Sequence, residues 1–327
     1  MMKRFLLTVI AFLYYMSSAN AGEWIIRDAE IMGTTIHTEV WHEDKQLAEK
    51  VAQQVLDAMH EVNQSMSPYI ESSELFAINQ QASSDELAIS DELYSVIKRS
   101  LHYSQVTDGA FDITYASVGY LYDYRKALRP SEPVIKQSLK GINYRHIVLK
   151  DDHPEKTIHF KHENVRIDLG GIAKGYAVDL AIQRAKASGI EHILVTSGGD
   201  TRILGDRNGR PWVIGIRHPL NKERVIAKIP LVNEALSTSG DYERYFDEDG
   251  VRYHHIIDPK TGDSAREVHS VTILGPTAID TDALSTSVFV MGAEKGLVLL
   301  QSLEGIEGII VDKFGNLLFS NGLQNVE

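Results

Sequence analysis

The stretch Asp168-Leu-Gly-Gly-Ile-Ala-Lys-Gly-Tyr-Ala-Val-Asp179 decides how this chain is read. Residues 165–169 are largely apolar and predict a strand. From Ile172 the pattern predicts a helix running to about residue 188, with Gly189 as its cap. Gly170 and Gly171 stand where strand gives way to helix. Small residues there let the backbone approach a ligand, and the free N–H groups of a helix start favour an anion such as a phosphate. Glycines at such turns are also plain packing devices, so the segment alone does not name a chemistry.

Downstream, residues 192–196 predict a strand ending in Ser197-Gly-Gly-Asp200, a turn with a carboxylate at its tip. Residues 212–216 and 225–230 alternate as antiparallel strands do. Residues 271–274 predict a further strand, residues 280–290 a helix, and residues 309–311 and 317–320 a hairpin around Gly315. Upstream, residues 24–27 and 34–41 predict strands around a Met32-Gly33 turn. Leu47, Val51, Val55, Met59, Val62 and Met66 recur at helical spacing and read as core. Residues 67–75 read as a loop, Ser90-Asp-Glu as a capped helix start, and residues 147–149 and 157–160 as short strands. Strands and helices alternate without strict βαβ repetition. The expected class is α+β, one compact unit of mixed or antiparallel sheets flanked by helices.

The N-terminus reads as an export signal over residues 1–21: a basic Met-Met-Lys-Arg, an apolar run over 5–16, and Ala19-Asn-Ala21 as the cleavage site. The apolar run is too short to span a bilayer, and residues 22–327 then form the functional domain. The expectation is an exported, soluble periplasmic protein that does not span the membrane. The chain has no cysteine, which excludes disulfides, thiolate chemistry and a lipidated N-terminal cysteine. A net charge of −12 argues against nucleic acid as a partner, so an anionic ligand needs local devices to hold it.

Several segments offer such devices. His255 precedes Ile-Ile-Asp258-Pro and suits acid–base work near neutral pH, though histidines at strand edges are also ordinary polar packing. His254 should face the other side of the strand, so at most one of the pair lines a given site. Asp282 and Thr286, four apart at a helix start, converge on one face and offer two oxygen ligands to a hard cation. Capping alone also places Asp and Thr there. Thr107-Asp-Gly-Ala-Phe-Asp112 and Thr238-Ser-Gly-Asp-Tyr-Glu-Arg-Tyr245 combine small, polar and aromatic residues suited to a planar heterocycle, or to ordinary loops. No Rossmann fingerprint, P-loop, H-E-x-x-H or nucleophile elbow is present.

Taken in order, these segments resemble the ApbE family, the FAD:protein FMN transferases. The resemblance runs from Met32-Gly-Thr34 through Met66-Ser-Pro-Tyr-Ile-Glu-Ser-Ser-Glu-Leu75, the Thr107 and Asp168 segments, Ser197-Gly-Gly-Asp200 and the Thr238 segment. It continues through His255-Ile-Ile-Asp-Pro-Lys-Thr-Gly262 and Pro276-Thr-Ala-Ile-Asp-Thr-Asp-Ala-Leu-Ser-Thr286. It implies an ApbE-like, T-fold-related architecture. It also implies FAD contacts at Met32, Tyr69, Ala110, Phe111, Asp112, Asp168, Lys174 and Ile257, with His255 as the catalytic base. A Mg²⁺ site is implied at Asp282 and Thr286, with Gly171 and Ser285 contributing. The implied reaction moves FMN from FAD to a Ser or Thr hydroxyl of an exported or membrane-anchored redox protein and releases AMP. The same site would serve an FAD pyrophosphatase giving FMN and AMP, or a flavin-binding protein without turnover. Relatives differ at Ser285, at Lys174 and after Ile113, where this chain reads Thr-Tyr-Ala-Ser-Val-Gly-Tyr.

Overall fold

The computed structural model describes residues 22–152 and 155–323. The proposed export signal therefore lies outside the described residues. Eight strands form the main sheet: β1 (Glu23–Ile31), β2 (Thr34–His42), β3 (His192–Ser197), β4 (Asp200–Leu204), β5 (Ala235–Gly240), β6 (Val268–Gly275), β7 (Glu307–Asp312) and β8 (Leu317–Phe319). They lie side by side in chain order, each antiparallel to the next. The β1–β2 hairpin closes in two residues, Met32 (φ 57°) and Gly33 (φ 71°), the left-handed pair that a tight hairpin turn requires.

The long insertions between strands supply the helices. Helix α1 (Lys45–Met66) is capped by the Asp44 side chain and buries the predicted apolar stripe. Helix α2 (Asp91–Val106) begins at Ser90, whose hydroxyl accepts from the Leu93 amide. Helices α3 (Ala173–Ala187) and α4 (Ala278–Met291) complete the layer on one face of the sheet. Alternation along the strands divides the sheet's side chains: Ile193, Val195, Val271 and Ile273 join the helix-side core. Leu194, Ile203, Leu236 and Leu274 face the other way and are covered by Trp212 and Leu231. Those two belong to the separate hairpin of strands Trp212–His218 and Asn221–Leu231.

Two expectations change. Residues 165–169 are not a strand, although Val165, Ile167 and Leu169 are buried. Their backbone finds partners elsewhere. The Asn79 amide brackets Ile167, accepting from its N–H at 2.8 Å and donating to its carbonyl at 2.9 Å. Arg166 N–H donates to Ser117 Oγ, and Asp168 N–H donates to the Ile113 carbonyl. Two side chains and the Ile113 carbonyl thus supply what a neighbouring strand would have given. The segment following the predicted loop also holds a helix, Glu74–Gln81, which carries Asn79.

Candidate active site

The starts of two helices meet at the glycine turn. Helix α4 crosses α3 so closely that a Cβ on Gly175 would lie 2.2 Å from the Ala278 carbonyl oxygen. Asp179 on α3 then accepts from the amides of Ala278 (3.0 Å) and Ile279 (2.8 Å), capping α4 from outside its own sequence. Thr277, at the cap position, instead donates to Asp280, which pairs with Arg99 at 2.7 Å. Asp280 therefore serves the helix start and not the site.

This crossing sets Asp282 over the first turn of α3. The Gly175 amide donates to Asp282 Oδ2 at 3.0 Å. Lys174 Nζ lies 3.2 and 3.1 Å from the two Asp282 oxygens, 2.9 Å from Asp200 Oδ2, and donates to the Gly170 carbonyl at 2.9 Å. Burial disfavours the Lys174 charge, but Asp200 and Asp282 outweigh it and hold its pKa above the ordinary lysine value. Burial, and then the Asp200 charge, push Asp282 above the usual carboxylate range. Asp200, read from sequence only as the tip of a turn, is 2% exposed and belongs to this cluster.

One turn along α4, Thr286 faces the glycine turn: a Cβ on Gly171 would lie 3.2 Å from Thr286 Oγ1 and 3.3 Å from the Phe111 ring. Helix α4 is buried almost throughout, so its hydroxyls need partners. Ser285 Oγ donates to the Asp282 carbonyl at 2.9 Å and lies 2.8 Å from Ser239 Oγ on β5. Ser239 Oγ lies 3.3 Å from Thr286 Oγ1. Ser239 was not singled out as a site residue in the sequence, and its position opposite α4 emerges only from the sheet register.

Among the described residues, no three His, Asp or Glu side chains cluster as a self-sufficient metal site. Asp282, Thr286 and the Gly171 region offer oxygen donors only. That chemistry fits a hard cation sharing its coordination with substrate phosphates, as Mg²⁺ commonly does.

The remaining candidates take different roles. Asp168 is buried, with Oδ1 accepting from the Gly170 amide at 2.6 Å, so it shapes the glycine turn. Burial raises its pKa. Phe111 reaches the same turn, whereas Asp112 is turned into the fold. Its Oδ1 accepts from the Thr114 amide and hydroxyl, and its Oδ2 from the Tyr144 amide. Ala110 is buried beside it. Met32 packs against the helix-side core at its turn, and Arg244 donates to the neighbouring Gly33 carbonyl at 3.3 Å. Tyr69 is 73% exposed, its ring 6.1 Å from that of Tyr120, which leaves a face open to a planar ligand. Ile257 is buried and pairs with Ser264.

The two histidines separate as expected. His254 is buried, its Nε2 2.6 Å from the Ala265 carbonyl and its ring edge-on to Phe289. Burial lowers its pKa to about 4. His255 sits just past the strand Val251–His254, its amide donating to the Arg244 carbonyl at 3.1 Å. Its Nδ1 is buried without a hydrogen-bond partner among the described residues. Burial, followed by the neighbouring His254 and the positive charges of Arg244 and Lys174, lowers its pKa to about 3.

A family model described as the ApbE family matches residues 32–310. The chain belongs to the ApbE family. The match spans every cluster just described. This ApbE-family chain is 32% identical over 311 residues to a protein of Vibrio cholerae named FAD:protein FMN transferase, covering 92% of this chain and 91% of that one. It is also similar to the crystal structure of the ApbE protein from Thermotoga maritima, with a TM-score of 0.84 and 36% identity over 92% of this chain and 98% of that one. The flavin transferase ApbE from Vibrio cholerae gives a TM-score of 0.83 and 29% identity, covering 94% and 100%. The α+β architecture read from the sequence is that of these structures. No helix among the described residues is long and apolar enough to cross a membrane.

Proposed function

We propose that this chain is an FAD:protein FMN transferase acting outside the cytoplasm. In this reading a Ser or Thr hydroxyl of a partner redox protein attacks the FMN-side phosphorus of FAD. The new O–P bond replaces the P–O bond of the pyrophosphate, AMP leaves with that electron pair, and the hydroxyl proton passes to the protein. The observation that carries it is the convergence of Gly171, Lys174, Asp282 and Thr286 from two helix starts, in a chain so similar to proteins of that name.

The chain's own groups divide the work. The positive end of α3 and the Lys174 ammonium, whose hydrogens already meet Asp282, Asp200 and the Gly170 carbonyl, favour the negative pyrophosphate through their charge. Asp282, Thr286 and the Gly171 carbonyl would hold Mg²⁺, which supplies charge neutralisation at the phosphates. His255, neutral at pH 7, offers its imidazole as the proton acceptor. A base so weak takes a proton only where negative charge builds beside it, and the bound pyrophosphate provides that charge. Tyr69 offers aromatic surface to the flavin or adenine ring, while Phe111, buried beside the glycine turn, backs that turn.

The test is to incubate the protein with FAD, Mg²⁺ and an acceptor domain bearing a Ser/Thr flavinylation motif, then weigh the acceptor intact. A gain of one FMN, abolished by EDTA, is the expected result. Free FMN and AMP without labelling would replace transfer by hydrolysis. Unchanged FAD would leave binding alone.

A further inference from the structure

Ser239 belongs to the Thr238 segment but takes no part in the reaction above, yet its hydroxyl touches two of the hydroxyls on α4. Counting hydrogens gives those contacts a direction. A serine hydroxyl has one hydrogen. Ser285 spends its own on the Asp282 carbonyl, which can only accept. At 2.8 Å, Ser239 must therefore donate to Ser285. With its hydrogen spent, Ser239 can meet Thr286 at 3.3 Å only as an acceptor. The Thr286 hydrogen is thereby turned back toward β5. The lone pairs of Thr286 Oγ1 are left for its other neighbour, the Gly171 turn, whose Cβ position is 3.2 Å away.

We infer that Ser239 is a positioning residue: its hydroxyl orders a Thr286→Ser239→Ser285→Asp282 hydrogen-bond chain that presents Thr286 Oγ1 as an acceptor toward a divalent cation. The inference rests on the cation site proposed at Asp282 and Thr286. Without the Ser239 oxygen, the Thr286 hydroxyl is free to rotate and to point its hydrogen at the cation. Partners that orient ligands in this way typically contribute 10- to 100-fold in metal affinity. Ser239 is only partly buried and packs a small side chain, so its removal leaves the sheet pairing of β5 intact.

The test titrates Mn²⁺ into the FAD-loaded protein, with FAD alone as the blank, and counts free Mn²⁺ by electron paramagnetic resonance, with thermal unfolding recorded in parallel. Ser239→Ala is expected to weaken Mn²⁺ binding about tenfold at an unchanged unfolding temperature. Ser239→Thr, which keeps the hydroxyl, should restore it. Unchanged affinity in Ser239→Ala, with loss in Asp282→Ala, would overturn the role of Ser239 and leave the cation site standing. Unchanged affinity in both variants would remove the cation site from this position, and the inference with it.

Discussion

Asp112 and Asp282 are both buried carboxylates on segments that converge on the glycine turn, and the fold treats them in opposite ways. Asp112 is consumed by its own neighbourhood: two amides and one hydroxyl saturate its oxygens and pin residues 112–114 to Tyr144. Asp282 is held by one amide and by an ammonium that it shares with Asp200. A carboxylate tied to amides keeps a loop in shape. A carboxylate balanced against a side-chain cation retains charge that an incoming ligand can engage. The first is architecture and the second is equipment.

The contrast can be broken by mutation. Lys174→Met should have the largest effect on stability, about 3–5 kcal/mol, because it strands two buried carboxylates. Chemical unfolding measures it, and the addition of Asp282→Asn should recover part of the loss. Asp282→Ala should keep the fold and lower FMN transfer at least about 100-fold, read as the rate of acceptor mass gain. Asp112→Ala should do the reverse. It loses a cap and leaves the buried Tyr144 amide unpaired, so it should cost about 2–3 kcal/mol with residual transfer in whatever fraction stays folded. If Asp112→Ala were fully stable but inactive, the division between the two carboxylates would collapse.

The histidines sharpen the same contrast through pH. Both are neutral in the fold, with pKa values lowered to about 4 and about 3. The unfolded chain binds protons on them from about pH 6.5 downward while the folded chain does not, so stability should fall with acidity across that window. At pH 5 the effect is about 1–2 kcal/mol per histidine, offset in part by the raised carboxyl of Asp282. Titration of the ring protons by NMR should show both imidazoles neutral at pH 6. FAD binding should raise the pKa of His255 and leave that of His254 unmoved. Equal shifts in the two would mean that His255 has no privileged exposure to the phosphates.

Much of this was legible in the sequence because short-range chemistry fixes it. The periodicity of α1, the cap at Ser90, the turn at Met32-Gly33 and the alternating strands at 212–216 and 225–230 all follow from neighbours within a few positions. The failure at residues 165–169 has a long-range cause, since the amide that satisfies that segment belongs to Asn79, 88 positions away. The site divides in the same way. Asp282 and Thr286 could be paired from their spacing on one helix. Asp200, Ser239 and Asp179 enter through the sheet register and the helix crossing, which no local pattern encodes.

The contact at Gly175 has an effect out of proportion to its size. Helices α3 and α4 touch main chain to main chain there, and the width of the site is gauged by a missing carbon atom. An alanine at 175 would act as a shim, holding Asp282 away from Lys174 and unseating the Asp179 cap while leaving every reactive group in the chain. A search for inactive variants would then rank this position beside the residues that meet the phosphates. It would be reporting a tolerance of assembly where it seemed to report chemistry.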